Sequence, residues 1–139
     1  MAISQAMATS FKAEILDEVH DLVADTLKIA LFTSSASLGA TTTAYSTSNE
    51  VANGNGYATG GVTLANKSVS STGTTAFFDA DDPTWTSASF TARGALIYND
   101  TNGDKAIAIL NFGGDFTVSS GTFRIVFPAA GANAIITIA

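Results

Sequence analysis

Apolar residues recur along this chain with two different periods. Phe11, Ile15, Val19 and Leu22 follow one another at helical spacing, joined by Leu16 and Val23, while Glu14, Asp17, Glu18 and Asp21 fill the other face. This is the pattern of an amphipathic helix, with Ser10 as its N-cap. Acids suit the positive first turn of a helix, but Asp21 and Asp25 come late, where they do not help. From Leu27 the period shortens to two. Leu27, Ile29 and Leu31 alternate with Lys28, Ala30 and Phe32, which predicts a strand. Residues 89–98 alternate in the same way, with Phe90, Ala92, Gly94, Leu96 and Tyr98 on one face. A polar turn at 99–104 containing Asn102-Gly103 predicts a hairpin to a partner strand at 105–112. Gly113-Gly114-Asp115 is expected to end that strand. Phe123, Ile125 and Phe127 start another, which Pro128 stops, and residues 134–138 make a last one. Shorter strands are expected at 57–65, bent at Gly60-Gly61, and at 75–78. Between 79 and 85 a loop holds Trp85 as its anchor.

These elements predict a mainly β (α+β) fold. One N-terminal amphipathic helix is followed by about seven mostly antiparallel strands in a sandwich or small barrel. Residues 1–9 are small and weakly polar and are expected to form a flexible arm. Residues 10–139 form a single β-rich domain. Inside it, residues 34–55 are rich in Thr and Ser, with only Leu38, Tyr45 and Val51 as apolar anchors. A loop this long is expected to be functional or ordered by a partner.

Charge changes the picture more than size does. Only 13% of residues are charged, against the usual quarter or so. Low charge points to a Thr-rich β surface or to one that is covered in use. The net charge is −6, and the six cations (Lys12, Lys28, Lys67, Arg93, Lys105, Arg124) are scattered. A nucleic-acid backbone calls for clustered Lys and Arg, so nucleic acid is not an expected partner. Without cysteine there is neither a disulfide nor a Cys-based zinc site. The first ten residues lack the basic and apolar regions of a secretory signal, and no apolar run is long enough to span a membrane, so neither secretion nor a membrane partner is expected.

Candidate chemistry is sparse. His20 is the single histidine, it lies among acids, and no G-x-S-x-G turn presents a serine to it. It reads as a surface histidine. Asp79, Asp81 and Asp82 stand beside Pro83 and read as solvated turn residues. Asp100, Asn102 and Asp104 have the spacing that opens a calcium loop. They form a weak metal candidate, because Lys105 stands where the loop needs glycine and Asn111 where it needs an acid. No cofactor is expected and the chain is expected not to be an enzyme. Arg93 and Arg124 sit inside apolar strands, either as edge charges that block aggregation or as partners of carboxylates across a subunit contact. Ile3, Met7, Leu38 and Tyr45, from the arm and the long loop, join them as interface candidates. Tyr45, Tyr57, Trp85 and Tyr98 are candidates for sugar stacking.

Three stretches, DTLKIALFTSSASLG at 25–39, FTARGALIYND at 90–100 and AIAILNFGGDFTVSSGTFRIVFP at 106–128, carry a wider likeness. With the helix before them and NAIITIA at the end, nearly the whole chain resembles small virion structural proteins of tailed bacteriophages. The shared motifs are packing and turn motifs. The resemblance implies a capsid decoration (cement) protein that stabilises the head shell. It would form homo-oligomers, bind the major capsid or other virion proteins, and be assembled into the virion in the host cytoplasm. The alternatives are a head–tail junction or tail (tube or fibre) component, and a carbohydrate-binding module.

Overall fold

The computed structural model describes residues 2–139, so Met1, the first residue of the expected arm, lies outside it. The fold is mainly β, as expected, and the described residues form one short helix and eight strands in two antiparallel sheets with a sandwich-like arrangement. In chain order these are β1 (Ala6–Met7), α1 (Thr9–Leu16), β2 (Leu27–Phe32), β3 (Val62–Thr63), β4 (Ser68–Thr72), β5 (Thr75–Asp79), β6 (Thr84–Asn99), β7 (Lys105–Arg124) and β8 (Ile136–Ile138). The large sheet has the order β1-β7-β6-β2-β3, and the small one β4-β5-β8.

The core sits where β2, the end of β6 and the start of β7 run side by side. Leu27, Ile29, Leu31, Leu96, Ile97, Ile107 and Ile109 are fully buried, as are Ala30 and Ala95. Both faces of these strands are therefore covered, which explains why β2 is nearly continuously apolar. The N-terminal segment covers part of it. The segment expected as a loose arm is built into the sheet: β1 pairs with β7, Ile3 bridges to Leu38, and Ala8 is fully buried. Gly94 makes room for Ile3, since a Cβ there would stand 2.8 Å from the Ile3 Cδ1.

The helix is shorter than its apolar stripe predicts. It ends at Leu16, and Glu18 takes φ +60, a left-handed conformation that a continuing helix does not contain. The late acids supply the reason. The Asp21 carboxylate accepts the Val23 and Ala24 amides and so caps a separate turn. Ser10 is not the N-cap; Ala8 is, and the Ser10 hydroxyl is buried without a partner. The Ala8 amide donates to the Ile107 carbonyl, so tertiary packing sets where the helix begins.

The two strands expected at 105–112 and around 123–127 are one, β7, which runs through Gly113-Gly114-Asp115. The glycines bend the ladder without ending it. Between Ala92 and Gly94 the pairing jumps from Phe116 to Asn111, leaving residues 112–115 as a bulge with Gly113 at φ +82. Trp85 is not in a loop but in β6, 3% exposed. The strand expected at 57–65 shrinks to β3, because Gly61 at φ +80 lies against the β2 backbone, where a Cβ would fall 1.9 Å from the Ile29 carbonyl oxygen.

Candidate interaction surface

Two polar centres tie the irregular segments to the sheet. The first holds the long loop. Glu50, the sole charged residue in 34–55, accepts the Tyr45 hydroxyl at 2.6 Å, the Tyr57 hydroxyl at 2.5 Å and the Gly60 amide at 2.8 Å. The Tyr57 oxygen in turn accepts the Leu31 amide of β2. Tyr45 stacks on Tyr98 with ring centroids 4.4 Å apart, and the Tyr98 hydroxyl donates to the Gly60 carbonyl. Burial, then the hydrogen bond to Glu50, raises the Tyr45 and Tyr57 hydroxyls well above the ordinary phenol range. The loop is thus ordered by its own chain.

The second centre locks the segment after α1 to the β6–β7 turn. His20 is buried, contrary to its reading as a surface residue. Its ring packs against Phe11 and lies between Glu14 at Nε2 (3.0 Å) and the Asn99 amide at Nδ1 (2.9 Å). The Thr101 and Asn102 amides donate into Asn99 Oδ1, which turns its NH2 toward His20 and Asp25. Nδ1 is therefore the acceptor, and Nε2 carries the proton given to Glu14. Asp25 Oδ2 accepts from Asn99, Asn102 and the Asp21 amide, and these bonds, Asn99 first, hold its carboxyl below the usual carboxylate range. Chemically, the centre orients a histidine between an acid and an amide. Among the described residues, the side chains bonded to the ring are Glu14 and Asn99, neither a nucleophile for it to activate.

The calcium candidate does not converge. The Asn102 side-chain amide donates to Asp25 and to the Val19 carbonyl. Among the described residues no group of three or more His, Cys, Asp or Glu is placed to hold a metal ion. Asp82 of the 79–82 acids accepts the Phe127 amide and pairs with Arg124 at 3.0 Å.

All six interface candidates make contacts within the chain. Ile3 and Leu38 bridge to each other, Met7 pairs with Ala108, and Tyr45 joins the Glu50 centre. Arg93 spans the β7 bulge to Asp115 at 2.8 Å, and Arg124 meets Asp82. Three of the four rings read as sugar-stacking candidates are interior, Tyr57 and Trp85 at 3% and Tyr98 at 2% exposed, and the fourth, the half-buried Tyr45, is stacked on Tyr98.

What lies open is a different set of residues: Leu16, Val23, Val69, Phe116, Val126 and Ile138. All but Leu16 fall in two tracts. One is the far half of the β6–β7 ribbon, where Phe112, Phe116, Val118, Phe123, Ile125 and Val126 line a shallow hollow backed by the Trp85–Phe90–Phe123 aromatic cluster. The other is a groove between the end of α1 and the small sheet. Sequence periodicity placed Val23 on the apolar face of a helix; the alternation of β4 and β8 is too short to say which face stays uncovered. Among the described residues, no helix is long and apolar enough to cross a membrane. Compared with protein-family models, curated proteins and solved structures, the chain matches none.

Proposed function

We propose that this chain is a structural subunit of a tailed-phage virion, a decoration protein that binds the head shell. The observation that supports this best is the pair of open apolar tracts on a domain whose own segments are already docked. Val69 and Ile138 are 55% and 56% exposed in one tract and Val126 73% in the other, and contiguous open apolar surface on a folded domain marks a site of association. The low charge fits the same role, since interface centres are charge-poor. The sequence resemblance supplies the kind of particle. The loop and the arm are held internally, so the contacts come from preformed faces, which suits an accessory subunit added to an existing shell with little rearrangement. The buried tyrosines and Trp85 argue against a sugar-stacking module.

The test is protein mass spectrometry on gradient-purified particles of the phage that encodes the chain, with heads and tails separated. The chain is expected in the head fraction at a copy number set by shell symmetry. Its absence from purified particles overturns the virion role, and its presence in the tail fraction alone overturns the decoration role.

A further inference from the structure

The groove beside α1 has a chemistry specific enough to name its occupant. One wall is the apolar face of the small sheet. Pairing puts Val69, Phe78 and Ile136 in one cross-strand row, with Ala76 and Ile138 in the next, on the same face. Phe78 and Ile136 are buried, but Val69 is 55% and Ile138 56% exposed, so the face is covered only in part. The other wall is Ile15, Leu22 and Val23. The space between is about 660 Å³.

Charge decides what fits there. Glu18 and Asp21 line the groove and are exposed, and among the described residues no Lys or Arg lines it. Helix α1 ends at Leu16, so the negative pole of its backbone dipole adds to Glu18 at this mouth. A second copy of the chain is a poor occupant. It brings a net charge of −6, and four of its six cations are engaged within their own chain: Arg93, Lys105 and Arg124 pair with Asp115, Glu14 and Asp82, and Lys67 donates to the Asp25 carbonyl, so Lys12 and Lys28 alone remain for the acids of the groove.

We propose that this groove receives an apolar segment of a different protein, one flanked by Lys or Arg. The apolar side chains would cover Val69, Ile138 and Val23 while the cations meet Glu18 and Asp21. Under the decoration reading, on which only the partner's identity rests, the segment belongs to the shell protein.

The experiment uses the full chain and two synthetic amphipathic peptides, one of leucine and lysine and one of leucine and glutamate, titrated by calorimetry. Saturable one-to-one binding of the lysine peptide is expected, with the glutamate peptide at least about tenfold weaker. Val69→Asp and Glu18→Lys, both at exposed positions and checked for unchanged melting, should each weaken the lysine peptide about tenfold or more. Equal binding of both peptides, or binding unchanged in both variants, overturns the proposal. So does a concentration-dependent dimer that Val69→Asp abolishes, because the groove then serves a second copy. In phage particles, Val69→Asp should be lost from the head fraction. Retention of that variant there defeats the groove assignment alone, whereas absence of the unaltered chain from particles defeats the decoration reading alone.

Discussion

The Tyr57 hydroxyl stands between the Leu31 amide of β2 and the Glu50 carboxylate, accepting from one and donating to the other. A single side chain thereby connects the central sheet to the long loop, and Glu50 extends the connection to Tyr45 and the Gly60 backbone. Replacing Glu50 with Gln puts an NH2 where one carboxylate oxygen accepts, so at least one of these donors loses its partner. Hydrogen bonds to charged groups contribute about 1.5–3 kcal/mol, and Glu50→Gln is expected to destabilise the fold by that order in urea titration. Limited proteolysis should cut the 34–55 loop faster in the variant than in the unaltered chain. Unchanged stability and cleavage would show that the loop is held by something other than this carboxylate.

Two glycines with positive φ should respond very differently to alanine. Gly61 lies against β2, where a Cβ would meet the Ile29 carbonyl oxygen and carbon. Gly73, in the β4–β5 turn at φ +59, has nothing within 4 Å. Gly61→Ala forces β2 and the following segment apart and should cost more than about 4 kcal/mol, enough to prevent soluble expression. Gly73→Ala pays only for the left-handed conformation, about 1 kcal/mol. Yield and thermal melting of the two variants side by side check the contrast.

Asp25 makes stability depend on acid. Its carboxyl titrates lower in the folded chain than in the unfolded one, because Asn99, the Asp21 amide and Asn102 donate to the ionised form. The unfolded chain therefore binds this proton first. The contribution is fully present above the ordinary carboxylate pKa of about 3.9 and is lost as pH falls through the lower folded value. In Asp25→Asn, the urea midpoint measured from pH 6 down to about pH 2.5 should fall less steeply than in the unaltered chain. Parallel curves would remove Asp25 as a source of the acid sensitivity.

Much of the fold was legible because its strands bury at least one face. β2 is a short, nearly continuous apolar run, the 89–98 part of β6 alternates plainly, and Asn102-Gly103 marks the hairpin that joins β6 to β7. The errors fall where a residue has two physical uses. Ser10 has the chemistry of a cap, yet Ala8 takes the position because its amide is bonded to β7. Gly113-Gly114 has the chemistry of a turn, yet Arg93 and Asp115 face each other across it and the ladder continues. Val19, Leu22 and Val23 continue the helical stripe, yet Asp21 and Asp25 spend their carboxylates on turns.

The candidate surface was less legible than the fold. Arg93 and Arg124 were unusual in the sequence as charges among apolar neighbours, and Tyr45 as an apolar anchor in a polar loop, and each has a partner inside the chain. Glu50 left one trace, as the lone charge in a long uncharged stretch flanked by Tyr45 and Tyr57. By itself the sequence determined the β-rich class, the main strands and the sparse, net acidic charge, since these follow from local alternation and composition. Only the tertiary structure decided that His20 is interior, that the loop closes on Glu50, and that the open apolar surface lies at Val69, Ile138, Phe116 and Val126. Periodicity shows that a strand has an apolar face, but whether that face is covered depends on segments distant in the chain.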